Sequence, residues 1–399
     1  MIHRPALARC VGDAGTFLSA EWSRASHLHH EPRGFDDLLS LDHVDHLLTT
    51  AMPRIPAVRV VRDGTPVPAA RYTRPGRLGG RPVLDLVDPG RLLEEFASGA
   101  TIVLQGLHRY HPPLAGFCRQ LELELTQPVQ ANAYLTPAGE RGLGAHYDTH
   151  DVVVLQVAGR KQWTVYTPSR ELPLPSQPWS ASDQQLGPVI LDRTLVPGDA
   201  LYLPRGFPHR ADAVDEPSLH LTIGITSPTW IDVVRDAFHE LEDDDALRRS
   251  LPIGFASEPP EHLAPAVAEH LARAAKQLTA ADAIALAERA VRRFWRGRPP
   301  TLSGQLRQLQ RLPTLADGSC VRRRPGSVAH CAVHDGRLRV VLGDRSLEMR
   351  TELEPAVARL LSATDPVAVG CLADLLDAPS RLVLVRRLVR EGIVEIVDG

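Results

Sequence analysis

An all-β core of the sandwich or barrel class, followed by helices, is the fold that the sequence predicts, and three observations predict it. From Thr101 the chain breaks into short β-prone runs: "TIVLQGL", "VQANAYL", "DVVVLQV", "KQWTVYT", "LYLP" and "LHLTIGI". β-Branched and aromatic residues dominate them, and no long helical periodicity is read between them. Turn formers punctuate the runs, in "PAGERGLG", "AGRK" and "PGD". After Pro228 the apolar spacing lengthens to the helical period, in "WIDVVRDAFHEL" and beyond.

The elements follow in order. Residues 1–95 read as a mixed α/β extension of the core, with a pair of short helices in "FDDLLSLDHVDHLLTTA" and a loop in "VPAARYTRPGRLGG". Residues 96–228 form the β core. Residues 229–300 form a helical region. There "PPEHLAPAVAEHLARAAKQL" and "TAADAIALAERAVRRFWRG" read as a hairpin, with Thr279 and Asp282 as the capped start of its second arm. Such a hairpin can pair with a second subunit, as a homodimer, as readily as with the core. Residues 301–399 read as a C-terminal unit. A β-hairpin turns at Gly343-Asp344, and then come three short helices in "LEPAVARLL", "VGCLADLLD" and "RLVLVRRLVREG". The strand "IVEIV" closes the outline of a winged helix.

Composition narrows the function. The chain of 399 residues has a formal net charge of −3, so no global field favours nucleic acid or an anionic membrane. Its basic residues are 43 arginines and two lysines, Lys161 and Lys276, which makes each lysine conspicuous. From Leu302 onward fourteen arginines face twelve acidic residues, too even a balance for DNA binding to be a primary role. Five cysteines, Cys10, Cys118, Cys320, Cys331 and Cys371, are odd in number and lack metal-type spacing, as expected of reduced thiols. With no signal peptide and no membrane span expected, the cytoplasm is the expected location.

The stretch "AHYDTHDVVVLQV" carries the candidate site. Read as the start of a strand, it puts His146 and Asp148 on one face and Tyr147 on the other. An imidazole and a carboxylate there can hold a small metal ion, given a third ligand from elsewhere. His209 in "VPGDALYLPRGFPHRADA" is the candidate. Two histidines and one carboxylate on one octahedral face leave three positions open, which suits non-haem Fe(II); zinc and manganese also fit such donors. The competing reading, a surface histidine bonded to its neighbour, is weakened by the apolar run that follows, because a buried polar cluster needs a partner.

Lys161 begins "KQWTVY", read as the antiparallel partner of "VVVLQV", and would bring a positive charge near the ligands. Arg160 beside it should face the other way. In "NAYLTP" the residues Asn132, Tyr134 and Thr136 share a face and suit a polar pocket wall. His220 in "LHLTIGI" reads either as pocket-facing or, the commoner case, as a satisfied core histidine.

These motifs together, "NAYLTPAGERGLGAHYDTHDVVVLQVAGRKQWTVY" followed by "PGDALYLPRGFPH", resemble the JmjC-type Fe(II)- and 2-oxoglutarate-dependent oxygenases of the ribosomal-protein hydroxylase group. The similarity is closer to the histidine-hydroxylating members than to the bacterial arginine hydroxylase, which has arginine where this chain has Lys161. The resemblance implies a cupin-type double-stranded β-helix, a helical dimerisation region and a C-terminal winged helix. It implies that His146, Asp148 and His209 hold Fe(II). It also implies that Lys161 pairs with the distal carboxylate of 2-oxoglutarate, with Asn132 and Tyr134 lining that pocket. The implied reaction consumes 2-oxoglutarate and O2, releases succinate and CO2, and hydroxylates a histidine, or alternatively an arginine, of a ribosomal protein. Hydroxylation of a small peptide or metabolite, and a non-enzymatic cupin or winged-helix regulator, are the alternatives. The chain departs from the group at positions 149–151, where Thr-His-Asp adds a further histidine, His150, beside the ligand pair.

Overall fold

The run "VVVLQV" is apolar on both faces, and the computed structural model shows why: it is covered twice. The structure describes residues 5–180, 185–343 and 345–398, which fall into two compact units, Met1–Ser227 and Pro228–Gly399.

In the first unit the helices are α1 (Ala6–Val11), α2 (Ala14–Ala20), α3 (Leu41–Thr49), α4 (Pro89–Ala97) and α5 (Pro112–Leu125). The strands are β1 (His27–His30), β2 (Val58–Arg62), β3 (Thr65–Pro66), β4 (Thr73–Leu78), β5 (Arg81–Val87), β6 (Thr101–Leu104) and β7 (Val129–Thr136). They continue as β8 (Asp151–Ala158), β9 (Lys161–Tyr166), β10 (Val189–Leu195), β11 (Asp199–Leu203), β12 (His209–Ala213) and β13 (Ser218–Ile225). The larger sheet has the order β1-β11-β8-β13-β7-β6-β2-β3, a smaller one the order β10-β9-β12, and β4 and β5 pair separately.

Val153, Leu155 and Val157 of β8 join the core that includes Leu7, Phe17 and Phe117 of α1, α2 and α5. Val152 and Val154 point the other way, into a cluster with Trp163 and Val165 of β9 and Ala211 of β12. β8 is therefore sandwiched between a helical layer and the second sheet, which explains its unbroken apolar run.

Several expectations are corrected. Unit 1 is mixed α/β rather than mainly β, because helices cover one face of its larger sheet. Helix α5 sits between β6 and β7, where none was read; two prolines at its start mask the periodicity in the sequence yet suit a first helical turn. β9 does not pair with β8: it lies between β10 and β12, so the "AGRK" turn carries the chain from one sheet to the other. The segment read as two short helices contains one, α3, capped by Ser40. The segment read as a loop contains the strand β4.

The second unit contains α6 (Trp230–Glu240), α7 (Pro260–Ala280), α8 (Ala283–Arg296), α9 (Gln305–Arg311), β14 (Cys320–Arg323), β15 (His330–His334), β16 (Arg337–Leu342) and β17 (Arg345–Arg350). After these come α10 (Glu354–Ser362), β18 (Val367–Ala368), α11 (Ala378–Arg390) and β19 (Val394–Val397). Strands β18-β14-β19 and β15-β16-β17 form two small antiparallel sheets. α10 and α11 pack on them through Val357, Leu360, Val385 and Leu388. The expected hairpin is β16–β17; its turn residue Asp344 lies outside the described residues. Of the three short helices read there, the middle one is only a 3-10 turn, Val369–Leu372. Thr279 does not start the second arm of the hairpin: it lies inside α7 and its hydroxyl donates back to Ala275 and Lys276. Asp282 alone caps α8, accepting from the Ile284 and Ala285 amides.

Among the described residues no helix is long and apolar enough to cross a membrane.

Candidate metal centre

The expected ligands converge. One donor atom each from His146, Asp148 and His209 can be chosen so that all lie within 4.8 Å of one another. They do so differently from the strand-face reading, since β8 begins only at Asp151. The pair lies upstream of it, where His146 and His209 form an isolated antiparallel bridge. The His209 amide donates to the His146 carbonyl at 2.8 Å and the His146 amide returns the bond at 3.1 Å. The Gly206 amide donates to the Asp148 carbonyl at 3.0 Å. Backbone bonds thus lock the two ligand-bearing segments in register before any ion is considered.

Both imidazoles are oriented the same way. His146 Nδ1–H donates to the Gly144 carbonyl at 2.7 Å, and His209 Nδ1–H to the Phe207 carbonyl at 3.0 Å. A carbonyl only accepts, so Nδ1 carries the proton and Nε2 keeps its lone pair for a metal, the second-sphere arrangement usual at histidine sites. His209 Nε2 lies 3.9 Å from Asp148 Oδ2. Burial first, and then the neighbouring His146, push the His209 imidazole down to about 4, so at neutral pH it is uncharged and ready to coordinate.

The ligands open into a cavity whose lining includes Tyr134, Gly142, Lys161, Trp163, His220 and Thr222. Lys161 enters it from β9, opposite Ala213 of β12, while His209 stands opposite Val165. The two are four residues apart along the strand, roughly 13 Å at about 3.3 Å per residue.

Lys161 is buried, and its Nζ donates to Thr136 Oγ1 at 2.9 Å. Among the described residues no carboxylate forms an ion pair with it, although Asp212 acts on it at longer range. Burial lowers it to about 7. An ammonium with three N–H donors and one hydroxyl partner is a costly thing to bury, and an anion beside it would remove most of that cost. Two further buried polar atoms in the lining, Trp163 Nε1 and His220 Nδ1, have no hydrogen-bond partner among the described residues. The cavity is built for a polar, anionic occupant.

The remaining expected residues divide. Tyr134 lines the cavity, its ring stacked on His220 with centroids 4.9 Å apart, and burial followed by the Asp148 charge raises its phenol to about 12. It stays a neutral hydrogen-bond donor. Asn132 sits beside the lining rather than in it: its Oδ1 accepts from the Gly106 amide at 2.9 Å, tying β7 to the turn after β6. Arg160 turns outward to Asp215, as its alternation with Lys161 predicts. His220 faces the cavity.

Sequence reading missed Gly142, which makes room for the lysine: a Cβ there would lie 3.3 Å from Lys161 Nζ and 3.0 Å from the Ala211 carbonyl. No motif signals it, because its neighbours come from β9 and β12. Tyr147, between the two ligands, is buried against Trp179 and donates from its hydroxyl to the Gln177 carbonyl.

Comparison with known proteins now bears on the site. A JmjC domain model matches residues 108–233. Ribosomal oxygenase 1 of Rattus norvegicus is 36% identical over 210 residues, covering 49% of this chain and 34% of that protein. The bifunctional lysine-specific demethylase and histidyl-hydroxylase NO66 of Drosophila pseudoobscura pseudoobscura is 38% identical over 136 residues, 34% of this chain and 14% of that protein. The chain thus spans about a third or less of the length of these curated relatives. In fold it resembles the Escherichia coli ribosomal oxygenase YcfD solved with cobalt and 2-oxoglutarate, with a TM-score of 0.54 at 18% identity over 97% of this chain and 99% of that one. The matched domain, the sequence relatives and the shared fold agree with the donor set: the part of this chain that carries the candidate metal centre is similar to the JmjC-domain ribosomal oxygenases.

Proposed function

We propose that the protein is an Fe(II)- and 2-oxoglutarate-dependent oxygenase that hydroxylates a side chain of a ribosomal protein, a histidine in the first instance and an arginine as the alternative. One observation carries the reading. A histidine–carboxylate–histidine donor set and a buried ammonium without a carboxylate partner line the same cavity. The names of the relatives, a ribosomal oxygenase and a histidyl-hydroxylase, support the substrate class.

In this reading His146, Asp148 and His209 hold the metal on one face, and Fe(II), when bound, supplies redox activation of O2. Lys161 and Thr136 hold the distal carboxylate of 2-oxoglutarate. Tyr134, kept protonated, and Trp163 Nε1 give further donors along the cavity wall. The apolar Val152 and Val154 exclude water from one side. His146→Ala or Asp148→Ala is expected to abolish stoichiometric Co(II) or Fe(II) binding and succinate formation. Normal turnover by His146→Ala with added Fe(II) would reject the ligand assignment. Mass spectrometry of ribosomal proteins from cells with and without the gene is expected to show one residue heavier by a single oxygen atom. An unchanged ribosome with an oxidised small peptide would favour the peptide alternative.

The layout is proposed as an extension over 1–95, a catalytic core over 96–228, a helical dimerisation region over 229–300 and a winged-helix-like unit over 301–399. Exposed Val267, Leu271 and Ile284 on α7 and α8 support self-association, and the small sheets with α10 and α11 support the last assignment. All five cysteines are free, which supports a reducing compartment such as the cytoplasm.

A further inference from the structure

The metal ligands lie on two chain segments, 146–148 before β8 and His209 at the start of β12. Backbone bonds join the segments locally, but one buried side chain ties together the structure behind them. Asp151, the first residue of β8, is fully buried. Its Oδ1 accepts from the Tyr202 hydroxyl at 2.9 Å and from the Arg205 amide at 3.3 Å. Its Oδ2 accepts from the Ser227 hydroxyl at 3.4 Å. The carboxylate therefore bridges the end of β11, the turn that leads to His209, and the exit of β13.

Tyr202 extends the bridge outward. Its oxygen accepts from the Ser23 amide at 2.9 Å. Its ring stacks on Trp22 with centroids 5.5 Å apart and meets Phe17 edge-on at 4.9 Å. The N-terminal helices thereby brace the strand on which the turn is mounted. Among the described residues no ion pair offsets the burial of Asp151, which raises its pKa despite the three donors and the Arg205 charge. A site that needed only packing would be filled at lower cost by an apolar residue. What a carboxylate offers here is acceptor capacity for three separate donors at once.

We infer that Asp151 is a positioning residue for the metal centre: it anchors turn 204–208 to the start of β8 so that His209 closes on His146 and Asp148. It acts through the donor geometry without touching the ion. The inference rests on the proposed metal-binding function.

The test compares Asp151→Asn and Asp151→Leu with the wild type in the full-length protein. Co(II) affinity is read by titration, the donor arrangement by the visible spectrum of the Co(II) form, and folding by the melting temperature without metal. Asparagine keeps an oxygen for Tyr202 and Arg205, and is expected to bind Co(II) within about threefold of the wild type, as a rescue by bonding capacity. Leucine keeps the shape without acceptors. It is expected to weaken Co(II) binding by roughly 10–100-fold, the range usual for outer-sphere partners, and to shift the spectrum. Equal Co(II) affinity in the leucine variant and the wild type overturns the inference, as does equal weakening in both variants. Should the leucine variant not fold, Tyr202→Phe decides: affinity several-fold weaker supports the brace, and unchanged affinity overturns it. His146→Ala separates the two readings, because Co(II) binding that survives in that variant removes the metal site itself, whatever position 151 does.

Discussion

At Lys161 the cost of burial is visible in a single group. Desolvation lowers the ammonium from the ordinary lysine range to about 7, with Asp212 opposing in part, and His220 lies close enough to feel its charge. The sign for folding follows. An unfolded lysine holds its proton up to about 10.4, so between roughly pH 7 and 10 the unfolded chain binds more protons and stability rises with pH. The penalty is fully present below pH 7. A dianionic co-substrate reverses the preference and binds the protonated form. Above pH 7 the apparent 2-oxoglutarate Kd should therefore rise by about tenfold per pH unit, until the raised value in the complex is reached. Titration of the Co(II) form from pH 6.5 to 8.5 measures this; Lys161→Met should bind weakly with no such slope, and a flat wild-type profile would contradict the role. The ligand motif was legible in the sequence because His-x-Asp is local. Thr136 as the lysine's partner was not, because 25 residues separate the two.

Among elements, the departure of β9 from β8 matters most. Reading the "AGRK" turn as a hairpin placed Lys161 beside the ligand strand; the structure places it in the opposing sheet, across the interior. Both arrangements bring a charge to the cavity that the donor residues line, although the expected pairing of β9 with β8 is absent. Period-two alternation cannot distinguish them, because both faces of β8 are buried. His150 and Gly224 show the same limit. A Cβ on Gly224 of β13 would lie 2.9 Å from the His150 ring and 3.1 Å from Gln130 Cγ, so the glycine makes room for the histidine. Gly224→Ala is expected to cost about 1–3 kcal/mol through overpacking. His150→Ala in the same chain should restore much of it. A double-mutant cycle by denaturant unfolding checks this, and strictly additive effects would show that the ring moves freely.

For the whole molecule, the similarity to YcfD runs over nearly the full chain at the level of fold, whereas the JmjC domain match covers residues 108–233 and the rat ribosomal oxygenase 1 match covers 49% of the chain. The candidate metal centre lies in the first unit, and the proposed role of the second is assembly. α7 runs for 21 residues without one buried side chain, and Leu271 and Ile284 are 65% and 72% exposed. A helix of that length gains its stability from packing more than from propensity, which argues for a covering surface. The full-length protein is expected to sediment at twice the chain mass, and Leu271→Asp with Ile284→Asp to shift it to the single-chain mass. Sedimentation of the wild type as a monomer at micromolar concentration would rule the dimer out.

By itself the sequence determined the strand-forming runs, the change to helices after Pro228, and the residue types of the metal donors, since all of these are local in chemistry or spacing. Only the tertiary structure decided which sheet β9 joins, that Asn132 serves a turn instead of the cavity wall, and that Asp151 and Gly142 stand behind the site. Those facts depend on partners tens of residues away. Burial, with its demand that each polar group find a partner, selects among arrangements that periodicity leaves equal.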